Sequence, residues 1–83
     1  MKLNLLYFAW LRERIGRGHE IIETDAETVT DLIAELILRD PGYEAAFEDI
    51  SSVRVAVDQN LVDFSTSLAS VREVAFFPPM TGG

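Results

Sequence analysis

The apolar positions of this chain change period several times, and each change marks an element. Leu3, Leu5 and Tyr7 alternate with Lys2, Asn4, Leu6 and Phe8, the twofold period of a strand with one buried face. Ala9 to Ile15 fits a short helical turn closed by Gly16 and Gly18, and His19-Glu20-Ile21-Ile22-Glu23 reads as a second strand in a hairpin-like pair with the first. The period then turns helical. Val29, Leu32, Ile33, Leu36 and Ile37 fall at i, i+3, i+4, i+7 and i+8, one apolar stripe. Thr28 with Asp31 predicts a capping-box-like start, and Pro41-Gly42 predicts a stop. Tyr43 to Ile50 predicts a weaker helical turn carrying Phe47 inward. Val53, Val55 and Val57 form a third, long strand, Gln59-Asn60 a turn, Leu61-Val62 a short edge strand, and Ser65-Thr66-Ser67 a loop. Glu73 to Phe77 is a last strand, ended by Pro78-Pro79, which cannot donate to a ladder.

This order predicts a two-layer α+β domain, a mixed sheet of about five strands covered by one main helix. If the apolar first and last strands lie side by side in the middle, the arrangement is a β-grasp, or ubiquitin-like, roll. The domain covers 1–77, and 78–83 is an extended C-terminal tail. Strand parity turns Val74 and Phe76 inward, and Phe8, Ala75 and Phe77 outward. Phe8 and Phe77 then meet near the tail exit, with Leu61 on the short edge as the third member of a partner interface, because apolar groups on a polar face mark docking surfaces.

Composition removes most other readings. A chain of 83 residues buries roughly 60% of its unfolded surface, enough for one thin core and not for a deep two-lobed cleft. Seven Lys and Arg against fourteen Asp and Glu give a net charge of −7, which repels nucleic acid and anionic lipid. Without cysteine there is no disulfide, thiolate metal site or cysteine chemistry, and the single His19 excludes a multi-histidine metal site. The lack of cysteine suits a reducing cytoplasm, and no segment approaches the ~18 apolar residues of a membrane span. The pairs Asp25/Glu27 and Glu48/Asp49 lack a cleft to separate their pKa values and read as solvated charge. Arg12, Arg14 and Arg17 are the one basic cluster, which could contact a phosphate or an acidic partner but reads first as an ordinary surface patch. Gly16-Arg17-Gly18 lacks the third glycine and the lysine of a phosphate loop, so no nucleotide, cofactor or metal is expected on this chain.

What remains is the end, Phe77-Pro78-Pro79-Met80-Thr81-Gly82-Gly83. A frayed terminus is the plain alternative. Against it, two prolines stiffen the exit of an apolar strand and the residues then shrink toward glycine. Extended, this tail reaches at most ~20 Å. It could thread a narrow tunnel in another protein, since glycine has no Cβ to strike close walls.

From Glu73 to Gly83 the sequence resembles the C-terminal motif of molybdopterin synthase small subunits, the MoaD group. The resemblance includes Leu6-Tyr7-Phe8-Ala9, Leu11-Arg12-Glu13, Thr28-Val29 and Ala56-Val57-Asp58-Gln59. Two positions depart from the group: Asp58 stands where Asn is usual, and Val71-Arg72 where a Gly-Asp turn is usual. The first bears on a turn hydrogen bond, the second on a loop glycine and on charge.

The resemblance implies a sulfur carrier that is not itself an enzyme. The Gly83 carboxylate would be adenylated by a ubiquitin-activating-like enzyme using ATP and magnesium. A sulfurtransferase would convert it to a thiocarboxylate. The large subunit, in a heterotetramer, would bind Pro78, Pro79, Met80, Thr81 and Gly82, and cyclic pyranopterin monophosphate would take the sulfur. The terminal glycines also fit a carrier for thiamine synthesis, tRNA thiolation or protein modification, or an inert ubiquitin-like interaction module, and the Phe76-Phe77-Pro78-Pro79 segment favours the pterin route.

Overall fold

A computed structural model describes residues 1–79; Met80, Thr81, Gly82 and Gly83 lie outside the described residues. In chain order the elements are β1 (Lys2–Tyr7), α1 (Ala9–Ile15), β2 (His19–Glu23), α2 (Val29–Ile37), α3 (Pro41–Ala46), β3 (Arg54–Val57), β4 (Asn60–Val62) and β5 (Glu73–Phe77), with a 3-10 turn at Ile50–Ser52. The five strands form one sheet in the order β2-β1-β5-β3-β4. β1 and β5 run parallel in its interior, and the other pairings are antiparallel. This is the mixed β-grasp sheet that the apolar first and last strands predict.

The inner face follows strand parity. Leu3, Leu5, Tyr7, Ile22, Val55, Val57, Val74 and Phe76 are buried there, against Val29, Leu32, Ile33 and Leu36 of α2. Each such side chain contributes about 1.5–3 kcal/mol by leaving water. Thr28 starts α2 as its side chain accepts from Asp31 N–H at 3.2 Å. Only half of the predicted capping box forms, since no bond from Thr28 N–H to the Asp31 carboxylate accompanies it; the next two donors find backbone acceptors between Phe64 and Thr66, Val29 N–H donating to Thr66 O at 3.2 Å and Thr30 N–H to Phe64 O at 2.9 Å.

Three local expectations are corrected. Helix α2 ends at Ile37, before Pro41, and Pro41 opens α3 rather than only closing its predecessor. Asp40 is the reason: its carboxylate accepts from Gly42 N–H at 2.7 Å, and proline at the first helical position gives up a donor with no intrahelical partner. Gly42 also sets how closely α3 approaches α1, since a Cβ there would lie 2.7 Å from the Arg14 carbonyl oxygen. Phe47 does point inward, edge-on to Phe76 at 5.0 Å between centroids.

The second correction concerns the hairpin from β3, a strand of four residues rather than a long one. Its turn is Asp58-Gln59, both at positive φ (48° and 71°), and Asn60 already belongs to β4, opposite Val57. Two successive left-handed residues match the twist of antiparallel strands. Asp58 is held there because its Oδ1 accepts from Arg72 N–H and Glu73 N–H, each at 3.0 Å. In the third, the left-handed residue of the following loop is Ser70 (φ 63°), so Val71 needs no glycine-like freedom and packs against the core instead.

Candidate functional site

Phe77 ends β5 and leads into Pro78-Pro79, so the surface around it is the candidate site. Register alone assembles it. Leu6 stands opposite His19 on one side and Ala75 on the other, Ala75 opposite Ala56, and Ala56 opposite Leu61. One row of the outer face therefore crosses all five strands and is apolar from Leu6 to Leu61. In the next row toward the tail, Phe77 pairs with Arg54. Phe8 N–H donates to Phe76 O at 3.1 Å, carrying the β1–β5 pairing one residue past Tyr7 and setting Phe8 beside Phe77. In the opposite direction the face turns polar, with Asn4 between Ile21 and Glu73.

Phe8 (48% exposed) and Leu61 (69%) are open to solvent, while Phe77, Pro78 and Pro79 are half-buried. Leu61 is separated from Phe77 by β3, so it is a second edge of the patch, roughly 10 Å across the sheet from β5, rather than a neighbour of the two phenylalanines. Ala75 points outward by register, as parity predicts, yet it is only 8% exposed and is not part of the inner core cluster. The short methyl groups of Ala75 and Ala56 on central strands leave the face low between Leu6 and Leu61. Ala56, Ala75 and Leu6 thus form an apolar floor that single-strand parity does not reveal. Cross-strand register was the missing information.

Behind the face lies a polar knot that the sequence pattern gave no reason to single out. Glu20 accepts from Tyr7 OH at 2.7 Å, Tyr43 OH at 2.5 Å and Arg17 at 3.2 Å. Burial first, and the hydrogen bond to this carboxylate second, push the Tyr43 hydroxyl up to about 12 and drive Tyr7 further in the same direction. The Tyr7 ring stacks on Phe76 with centroids 6.1 Å apart, so the knot braces the strand that precedes the tail. It offers no general base: its carboxylate is occupied by three donors.

The other candidates are plain. His19 is exposed, 3.4 Å from Asn4 Oδ1. Asp25, Glu27, Glu48 and Asp49 are exposed, and hydrogen bonds from Ser51 and Ser52 hold the Asp49 carboxyl below its usual range. Within the basic cluster, Arg14 lies 4.5 Å over the Trp10 ring and Arg17 pairs with Glu20. Among the described residues no group of three or more His, Asp or Glu is gathered to hold a metal, and no helix is long and apolar enough to cross a membrane. The predicted tail residues Met80, Thr81, Gly82 and Gly83 lie outside the described part.

The sheet order, the covering helices and a chain that leaves from an interior strand define a ubiquitin-like β-grasp domain. The ThiS family model matches residues 5–83, and the chain belongs to that family. It is 37% identical over 81 residues to the molybdopterin synthase sulfur carrier subunit of Escherichia coli, covering 98% of this chain and 99% of that one. Among solved structures, a putative molybdopterin converting factor subunit 1 from Pyrococcus furiosus superposes with a TM-score of 0.74 at 27% identity, covering 96% of this chain and 99% of that one. A chain from the protein–protein complex of subunits 1 and 2 of the molybdopterin-converting factor of Helicobacter pylori shares the fold, with a TM-score of 0.65 at 19% identity over the whole of both chains.

Proposed function

We propose that this chain is the sulfur-carrier subunit of a molybdopterin synthase, acting through the carboxylate of Gly83 in the cytoplasm. The observation that carries the reading is the end-to-end likeness to the Escherichia coli carrier subunit. The apolar face at the tail exit supports it, since a carrier must dock in order to present its terminus. In the first step an adenylating enzyme, using ATP and magnesium, lets the Gly83 carboxylate attack the α-phosphorus, and pyrophosphate leaves. A sulfurtransferase persulfide then attacks the acyl carbon and AMP leaves; a thiol cleaves the S–S bond of the acyl disulfide so formed, becoming a disulfide itself, and a thiocarboxylate remains. The large subunit receives the tail, the thiocarboxylate sulfur bonds to cyclic pyranopterin monophosphate, and water hydrolyses the resulting thioester, leaving the sulfur on the pterin and Gly83 as a carboxylate.

The division of labour follows from what the chain lacks. A thiocarboxylate is ionised at neutral pH and strongly nucleophilic, so it needs no base from a domain with one exposed histidine and no cysteine. Walls, positioning and acid–base groups belong to the partner. The complex of subunits 1 and 2 in Helicobacter pylori supports a large-subunit partner of the same kind here. Reconstitution tests the reading: thiocarboxylated chain, large subunit and pterin precursor should yield the dithiolene product in proportion to the thiocarboxylate supplied. A thiocarboxylated chain that binds the large subunit yet gives no product would overturn it.

A further inference from the structure

Arg12 is exposed on α1, and its side chain has no ion-pair or hydrogen-bond partner among the described residues. Its neighbours in the basic cluster are engaged, Arg14 with Trp10 and the Ala45 carbonyl and Arg17 with Glu20. Among the described residues the only arginines that pair with a carboxylate are Arg17 and Arg39, so Arg12 is singled out by its place beside Leu6 and Phe8 rather than by being unpaired. Gly18 has no positive φ to explain it, but a Cβ there would meet Arg12 Nε at 3.0 Å and Cδ at 3.2 Å, so the missing side chain makes room for the arginine stem. Arg12 forms a ridge between two shallow grooves that share Ala9, Arg12 and Gly18. One, of about 560 Å³, continues along Glu13 and Arg17. The other, of about 420 Å³, opens onto Leu6 and Phe8, the edge of the apolar face.

We infer that Arg12 is a specificity contact at the rim of the docking face, pairing with an aspartate or glutamate side chain of the large subunit; this rests on the carrier reading above. The guanidinium fork matches a carboxylate bidentately. Glu13 lines the same groove and Arg17 there is paired with Glu20, so the groove offers one positive charge at most, which suits a singly charged carboxylate better than a doubly charged phosphate. Apolar floor and charged rim divide the work: Phe8, Leu61 and Phe77 supply affinity, and the rim pair fixes orientation and speeds encounter.

The test measures binding of the full chain to the large subunit, at low and high salt, for Arg12→Glu, Arg12→Gln and Arg12→Lys beside Phe77→Ala. Arg12→Glu should weaken binding about tenfold at low salt, chiefly in the association rate, and the loss should shrink as salt rises. Arg12→Gln should lose less than Arg12→Glu, and Arg12→Lys should fall between Arg12→Gln and the unsubstituted chain, keeping the charge and its salt dependence but not the fork. Melting temperatures should match the unsubstituted chain. Arg12 variants that bind normally while Phe77→Ala is weakened would overturn this inference and leave the carrier reading standing. A loss that ignores salt, or that tracks a fall in melting temperature, would also overturn it, because it marks a packing role. Competition by inorganic phosphate beyond that of chloride at equal ionic strength would exclude the carboxylate. If the unsubstituted chain fails to bind the large subunit, the carrier reading fails and takes this inference with it.

Discussion

Phe8 donates its backbone N–H to the carbonyl oxygen of Phe76 across 3.1 Å, tying the residue that leaves β1 to the strand that becomes the tail. Whatever docks on Phe8 and Phe77 is therefore fixed relative to the tail's root. Phe77→Ala should cost about 2 kcal/mol of affinity for the large subunit. The isolated domain should stay folded, because Phe77 lies on the outer face while Val74 and Phe76 fill the core. Titration calorimetry with the large subunit and a thermal melt of the free chain check both halves. Unchanged affinity, or collapse of the free domain, contradicts the assignment of faces.

Both tyrosines of the chain, Tyr7 and Tyr43, donate to Glu20. A tyrosine whose folded pKa exceeds its ordinary 10.0 holds its proton more tightly when folded. The stability it contributes is complete below pH 10 and is lost as pH rises toward about 12. Phenolate absorbance should be nearly absent at pH 10 and should grow together with the loss of far-ultraviolet circular dichroism. Half-ionised tyrosine at pH 10 in a chain still folded would contradict the buried knot.

Asp58 carries the bend between β3 and β4 at a φ of 48° and accepts two backbone N–H groups from the start of β5. Asp58→Asn keeps an oxygen acceptor and tolerates the left-handed region, so it should change stability by no more than about 0.5 kcal/mol. Asp58→Ala loses both hydrogen bonds and meets the left-handed penalty, for about 2 kcal/mol. Urea unfolding of the two variants separates these outcomes, and equal stabilities would remove Asp58 from its role.

The residues explain how far the sequence could be read. The twofold period of Leu3, Leu5 and Tyr7 and the helical stripe from Val29 to Ile37 each depend on one element burying one face, and both survive in the fold. The outward parity of Phe8 and Phe77 survives for the same reason. What escaped was set between elements. Ala75 is sheltered by neighbours from two other strands, and Glu20 gathers hydroxyls from β1 and α3. The start of α3 and the bend at Asp58 are not legible in periodicity because each depends on a carboxylate capturing backbone N–H groups.

The most direct test of the carrier account acts on Gly83. The full chain and a variant lacking Gly83 are each incubated with the adenylating enzyme, ATP, magnesium and a sulfur donor, and intact masses are measured. The full chain should exchange one terminal oxygen for sulfur. The shortened chain should fold normally, since the core is complete by Phe76. Its carboxylate would end about 3.5 Å short, and a misplacement near 1 Å already costs ~100-fold, so its mass should not change. Sulfur on the shortened chain at a near-normal rate, or none on the full chain beside a working adenylating enzyme, would contradict the account.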